Sequence, residues 1–293
     1  MNIIDLHMHS LYSSDGEFTP EVLLEKCRDA GVRYMAIADH NSVKGARIAV
    51  AKQSEYGLTC IPAIEIDATC EGVDYHILGY GIDVDDPVFD KIEKNVEDQE
   101  VAASKTRCEL IKKLGIQYDE ARLEELSFHG IVTGEAIAEA AMEYDKDHSC
   151  ELLQPYYEGG SRSDNPYVNF YWDYCSAGKP AFVEVKYPSV KEIVELLHQQ
   201  NALVVMAHPG QNAKEMKERL EAVTALGIDG MEVYSSYHTA EQTAFYEAWA
   251  KDHGLLMTCG SDYHGKTKPS ISIGQCNMPS EYQEKLVRVL EKL

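Results

Sequence analysis

Short apolar runs recur seven times along the chain, at positions 3–6, 34–38, 60–64, 77–80, 203–207, 231–234 and 255–259. Runs this short suit buried strands, and most are separated by amphipathic stretches with helical spacing. Thr19 and Pro20 supply an N-cap and a first-turn proline, Val22, Leu23 and Cys27 make an apolar stripe, and Gly31 ends that helix. Pro188 and Ser189 open another helix that runs to about Gln200. Strands joined through helical crossovers run parallel, so the alternation predicts an α/β barrel or open sheet.

The alternation stops between residues 83 and 178. There, 88–114 reads as one long amphipathic helix, 131–142 as a second, and 144–165 as loop, with Pro155 and Gly159-Gly160. The segment holds 22 acidic and 9 basic residues, so it carries −13 of the net charge of −22. It is expected to be an inserted helical cap subdomain, with residues 1–82 and 179–293 forming the α/β catalytic domain.

Composition narrows the class further. With 27 Lys and Arg against 49 Asp and Glu, the chain lacks the basic footprint that coating a nucleic acid requires. A hydrophobic share of 44% in 293 residues fills a core and excludes the disordered and fibrous classes. No apolar run approaches the ~20 residues of a bilayer span, and residues 1–7 lack the features of a signal peptide. A soluble cytoplasmic protein without a membrane partner is expected. The eight cysteines show no CxxC pair and read as small core residues, not as disulfides or a zinc ribbon.

Eleven histidines are more informative, because several stand beside carboxylates at the ends of the apolar runs. The first run ends in Asp5-Leu6-His7-Met8-His9, and in extended chain residues i and i+2 share a face, so both imidazoles can reach one ion. The pattern recurs at Asp39-His40, Glu65, His208 and Asp262-Tyr263-His264, with His76 flanking the fourth run. Loops that follow the strands of an α/β barrel converge on one face, so these residues become one cluster. Six histidines with Glu65 and Asp262 exceed what one ion needs. Mixed imidazole and carboxylate ligation suits Zn²⁺, Mn²⁺ or Fe²⁺ better than Ca²⁺.

With His7-Met8-His9-Ser10, Ser14-Asp15-Gly16, Ala38-Asp39-His40-Asn41, Glu65, His76, Ala207-His208-Pro209-Gly210 and Gly260-Ser261-Asp262-Tyr263-His264 in this order, the sequence resembles the PHP (polymerase and histidinol phosphatase) family of metal-dependent phosphoesterases. The resemblance implies a distorted seven-stranded β/α barrel with three divalent metal ions. It assigns His7, His9, Glu65 and Asp262 to one metal, and Glu65, His76 and His208 to a second. Asp15, His40 and His264 go to the third. Asp39 would orient an imidazole from outside the ligand set. Asp15 lies one residue further from His9 than in the usual motif.

Phosphate ester cleavage needs cations to neutralise phosphoryl oxygens and a nucleophile available near neutral pH, and clustered divalent ions supply both. A hydroxide bridging two ions is expected to attack phosphorus in line, with Glu65 indispensable and inorganic phosphate as a product. His238, in the loop after the sixth run, faces the same rim and is expected to act on phosphate or leaving group. Lys266 and Arg162 are candidate substrate contacts, whereas His129, His148, His198 and His253 read as surface or satisfied polar residues. Tyr156, Tyr157 and residues 167–174 form an aromatic cluster that serves either as core or as a stacking surface.

The layout looks like the stand-alone bacterial PHP phosphoesterases acting on nucleoside 5′-monophosphates and 3′,5′-bisphosphates, in which a helical insert caps the site. It departs from them at Val132-Thr133-Gly134-Glu135-Ala136, where an arginine and a histidine are usual, and at Gln211, where an arginine is usual. Losing guanidinium groups removes bidentate grips on phosphate. A sugar phosphate or histidinol phosphate therefore stays open as substrate. So do an oligonucleotide-end nuclease and a non-catalytic metal-binding module, while a long nucleic acid is not an expected partner.

Overall fold

The apolar runs become strands, but they pair differently from the all-parallel expectation. The computed structural model describes residues 3–293; Met1 and Asn2, which open the expected catalytic domain and the leader reading, lie outside the described residues. Strands β1 (Ile4–Asp5), β2 (Tyr34–Met35) and β3 (Thr59–Cys60) form a parallel three-stranded sheet. Strands β4 (Ala63–Cys70), β5 (Val73–Tyr80), β6 (Leu203–Met206), β7 (Gly230–Ser235) and β8 (Leu256–Gly260) form a second sheet in chain order. Within it β5 runs antiparallel to both β4 and β6, and β6 to β8 are parallel.

The antiparallel pair has a local cause. Only Glu71 and Gly72 connect β4 to β5, with φ of 51° and 76°. Two residues at positive φ make the I′ turn of a hairpin, whereas a parallel neighbour needs a crossover of about a dozen residues or more. The expected seven-stranded barrel is thus replaced by eight strands in two sheets, and no closed barrel forms among the described residues. The sheets meet along two seams. On one, Leu6 N–H donates to Cys259 O (3.1 Å) and Asp262 N–H to His7 O (2.8 Å). On the other, Glu65 N–H donates to Asp39 O (3.2 Å) and Asn41 N–H to Glu65 O (2.7 Å).

Helices α1 (Pro20–Ala30) and α2 (Lys44–Tyr56) link the first three strands. Thr19 caps α1 by accepting the Val22 N–H, and Gly31, at φ 78°, ends it. The long helix α3 (Pro87–Lys113) starts where Asp86 accepts the Val88 N–H and Pro87 occupies the first turn. Next come α4 (Glu120–Leu126), α5 (Gly134–Tyr144) and α6 (Pro166–Phe170). Helix α5 starts later than periodicity suggests, because Thr133 caps it and Phe128 and Ile131 pair in extended conformation just before. Residues 151–156, expected as loop, form a short helical turn. Helix α7 (Val190–Gln199) opens on a reciprocal capping box between Ser189 and Glu192. Helices α8 (Pro209–Asn212), α9 (Lys217–Thr224), α10 (Ala240–His253) and α11 (Ser280–Leu290) complete the chain.

The larger core packs Ile66, Ile77, Tyr80, Val204 and Met231 of the second sheet against Leu197 of α7 and Tyr246 of α10. A second apolar cluster lies within the helical segment, where Ile111 of α3, Ile137 of α5 and Phe170 of α6 meet Leu153 and Tyr156. Helix α3 joins the two, since Phe89 near its start belongs to the larger core and is fully buried. All eight cysteines are free thiols. No described helix is long and apolar enough to cross a membrane. Replacing Phe89 by Ala should cost about 3–5 kcal/mol through lost transfer energy and the cavity left behind, read from the denaturant midpoint.

Candidate metal centre

Strand ends and one hairpin deliver the site. His7 and His9 follow β1, His40 follows β2, His208 follows β6, and Asp262 and His264 follow β8. Glu65 and His76 lie within β4 and β5. Glu65 is fully buried and sits at the centre. Its Oε2 is 3.1 Å from His7 Nε2, 3.2 Å from His9 Nε2 and 3.2 Å from His40 Nδ1. Its Oε1 is 3.0 Å from His76 Nδ1 and 3.1 Å from His208 Nε2. Asp262 Oδ1 lies 2.9 Å from His9 Nε2, and Asp15 Oδ2 lies 3.0 Å from His264 Nε2.

These side chains form overlapping groups whose donor atoms lie within 4.8 Å of one another, each able to hold an ion: His7, His9, Glu65 and Asp262; Glu65, His76 and His208; His9, Asp15, His40 and His264. A fourth group joins His40 and His76 to Asp67. Seven of the atoms are buried without an aligned hydrogen-bond partner: His7 Nε2, His9 Nε2, Asp15 Oδ1, His40 Nδ1, Glu65 Oε2, Asp262 Oδ1 and His264 Nε2. Orphaned polar atoms in a dry interior are costly, and ligands about 2.1 Å from one cation stand about 3 Å apart. The residues therefore fit divalent ions.

The imidazoles are aimed from behind. His7 Nδ1 meets Glu232 Oε1, His9 Nδ1 meets Ser13 Oγ and His208 Nδ1 meets Asn212 Oδ1, each at 3.0 Å. His264 Nδ1 meets Asp262 O at 2.8 Å. With the proton on Nδ1, each Nε2 lone pair is left for an ion. Asp262 Oδ2 accepts from Tyr237 Oη (2.6 Å) and Lys268 Nζ (2.7 Å), which leaves Oδ1 inward. Asp262 holds φ at 56° and His208 at 20°, conformations that cost a residue other than glycine roughly 1–3 kcal/mol and gather at functional sites.

Electrostatics favour the ligand state of the carboxylates. Burial opposes the charge of Glu65, yet His7, His40 and His76 outweigh it and hold the carboxyl well below its usual value. Burial likewise loses to Lys268, His264 and His7 at Asp262. The imidazoles divide: burial and the neighbouring His264 and His40 lower His9 to about 4, whereas at His7 burial is outweighed by Glu65, Glu232 and Asp262, which raise it well above normal. At His40, Glu65 and Asp67 overcome burial and push the ring up to about 10.

Several sequence-based expectations are corrected here. Asp39 does not orient an imidazole; it accepts from Ser10 N–H (2.6 Å) and Ser10 Oγ (2.7 Å), so it fixes the loop that carries His9. His238 is no substrate contact, because its Nδ1 donates to Val233 O (2.8 Å) and its Nε2 accepts from Gly210 N–H (3.1 Å). Both ring nitrogens are spent on clamping the His208 loop to β7. Lys266 pairs with Glu139 of α5 at 2.8 Å, and Arg162 grips Asp173 through two 3.0 Å contacts, so neither is directed at the metal-ligand cluster.

Sequence reasoning missed Asp67, Glu232, Tyr237 and Lys268. Asp67 carried a usable signal, two residues past Glu65 on one strand face, and so did Glu232, an acid in an otherwise apolar run. The aromatic cluster divides: Tyr156 and Phe170 are core, whereas Tyr171 and Trp172 line a cavity over Asp15, His40 and His76. Helices α3 and α5 line the same cavity.

Comparison with known proteins agrees with this geometry. The PHP domain model matches residues 5–200. A 5′-3′ exoribonuclease of Haemophilus influenzae is 28% identical over 268 residues, 89% of each chain. A 3′,5′-nucleoside bisphosphate phosphatase of Chromobacterium violaceum is 26% identical over 281 residues, 92% of this chain and 90% of that one. A crystal structure from Bifidobacterium adolescentis, described as a metal-dependent phosphoesterase, aligns with a TM-score of 0.76 at 26% identity, covering 97% of this chain and 95% of that one. Fold, site and similarities define a hydrolase acting on phosphoester bonds. The chain belongs to the PHP-domain family.

Glu232→Gln should lower divalent-metal affinity about 10–100-fold while leaving the fold intact, measured by metal titration with a competing chelator. Imidazoles must lose protons to bind metal, and His7 and His40 are held protonated in the metal-free cluster. Metal uptake should therefore release protons into weakly buffered solution, and apparent affinity should fall as pH drops.

Proposed function

We propose that the protein is a phosphatase for small phosphate monoesters, with three divalent ions held by His7, His9, Glu65 and Asp262, by Glu65, His76 and His208, and by Asp15, His40 and His264. The observation that carries this reading is the convergence of seven buried donor atoms without an aligned hydrogen-bond partner, two of them on Asp15 and His40, which line a cavity. Imidazole and carboxylate donors suit Mn²⁺, Zn²⁺ or Fe²⁺. Such ions, when bound, neutralise phosphoryl oxygens and make water a nucleophile near neutral pH.

The protein's own part is to aim and to enclose. Glu65 ties two of the three groups together, and Tyr237 and Lys268 hold Asp262 so that a single oxygen faces inward. Residues 83–178 act as the cap, a role supported by their own apolar cluster and by the α3 and α5 side chains over the cavity. Tyr171 and Trp172 offer ring faces to the organic part of a substrate.

The substrate we favour is a nucleoside 5′-monophosphate or 3′,5′-bisphosphate, with inorganic phosphate released; similarity to the Chromobacterium phosphatase supports this choice. Similarity to the Haemophilus exoribonuclease favours a second reading, removal of nucleotides from the 5′ end of a short RNA. The net charge of −22 weighs toward the smaller substrate.

The test is a panel in Mn²⁺ of nucleoside phosphates, sugar phosphates and a short 5′-phosphorylated RNA. Activity confined to sugar phosphates would overturn the nucleotide assignment, and faster release of mononucleotides from RNA than of phosphate from mononucleotides would favour the second reading. Glu65→Gln should lose both bound metal, by elemental analysis, and turnover; full activity in that variant would sink the metal assignment.

A further inference from the structure

Four of the six imidazoles in the cluster are held through Nδ1, by Glu232, Ser13, Asn212 and a backbone carbonyl. The exceptions are His76 and His40. His76 is turned the other way: its Nδ1 meets Glu65 Oε1 at 3.0 Å, and its Nε2 stands 3.4 Å from Asp67 Oδ1. His40 brings Nδ1 to 3.5 Å from the same Asp67 oxygen, while its Nε2 lies 4.0 Å from Asp15 Oδ2. One carboxylate oxygen thus stands between two rings that the three-ion arrangement sends to different ions.

Local structure puts Asp67 there. Strand register sets it directly opposite His76 in the β4–β5 hairpin, and a parallel bridge pairs His40 with Glu65, two residues before it. Asp67 Oδ2 accepts from Asn41 Nδ2 at 2.7 Å, and the Asp67 N–H donates to Asn41 Oδ1 at 3.1 Å. The carboxylate is therefore oriented with Oδ1 toward the rings. An ionised carboxylate oxygen has about two acceptor sites, enough for two imidazole N–H groups.

A neutral imidazole that gives one nitrogen to an ion keeps its proton on the other, and that proton needs an acceptor. With His76 Nδ1 turned to the group of Glu65 and His208, the outward Nε2–H points at Asp67. With His40 Nε2 turned to the group of Asp15 and His264, the outward Nδ1–H points at the same oxygen. His40, His76 and Asp67 stand close enough to hold an ion themselves, but each ring would then have to give up the nitrogen that carries its proton. We propose that Asp67 is a positioning residue serving two ion positions at once, accepting the Nε2–H of His76 and the Nδ1–H of His40 on one oxygen instead of ligating an ion of its own. The proposal rests on the three-ion reading above and adds a residue that none of its three ligand groups contains.

The experiment titrates the metal-free full-length protein with Zn²⁺ against a competing chelator, for wild type, Asp67→Ala and Asn41→Gly. Wild type should take up three ions. Asp67→Ala should hold two of them about 10–100-fold more weakly and the remaining one as before, because His7 and His9 are backed by other groups. Asn41→Gly removes the side chain that Asp67 holds and suits the φ of 57° at that position, so it should weaken binding far less. Imidazole ¹⁵N spectra of the Zn²⁺-loaded wild type give a readout that needs no variant to fold: His76 should carry its proton on Nε2, and His40 on Nδ1.

Undiminished affinities in Asp67→Ala, an equal loss in Asn41→Gly, or a His76 proton on Nδ1 would each overturn the proposal and leave the three-ion reading standing. A fourth wild-type ion that disappears in Asp67→Ala would overturn it in favour of a ligand role. Fewer than three ions in the wild type would overturn the proposal together with the three-ion reading.

Discussion

One buried carboxylate organises the molecule. Glu65 is fully enclosed, yet five imidazoles from four other stretches of chain stand within 3.2 Å of its two oxygens. An isolated charge in that position would be intolerable, and surrounding it with protonated rings would gather like charges at close range. Divalent cations held among these groups would resolve both problems, because they would let every ring be neutral and the carboxylate ionised. The two seams between the sheets pass through Glu65 and through His7 and Asp262, so the same residues that converge on an ion also join the halves of the fold.

Around this hub the supporting groups are unusually specific. Glu232 sits on a wholly buried strand and turns the His7 ring, while Asp39 spends both oxygens on Ser10 and so fixes the path of the chain beyond His9. His238, with each ring nitrogen bound to a backbone group, locks the loop that presents His208 in its strained conformation. The ligand atoms depend on partners that never touch an ion.

Much of this was readable in advance, and the limits have physical causes. Eight of the nine candidate ligands could be named because they lie at or beside the ends of apolar runs, where period-two and helical patterns break off and polar residues stand out, whereas Asp15 lies in a loop and was reached only through the family resemblance. Helices α1 and α7 were legible from Thr19, Gly31 and Ser189, since caps are written locally. The hairpin was not read, because the runs at 60–64 and 77–80 looked like separate strands and the turn between them is only Glu71 and Gly72. The misplacement of His238 has another origin: its partners are a carbonyl and an amide, which every residue possesses, so no side-chain pattern announces them. Lys268 rather than Lys266 reaches Asp262 because Asp262 and Gly265 take positive φ, which redirects the loop in a way no periodicity encodes.

The β4–β5 hairpin places Glu65, Asp67 and His76 on one face of a single ribbon, with Asp67 directly opposite His76. Side chains alternate along a strand, so sliding one arm by a single residue would carry its polar groups to the opposite face and bring apolar ones to the centre. Which donor groups meet at the centre is therefore set by strand register. Over evolution the exposed turn can change only among residues that accept positive φ, while one residue inserted within an arm would carry the groups on one side of it to the other face.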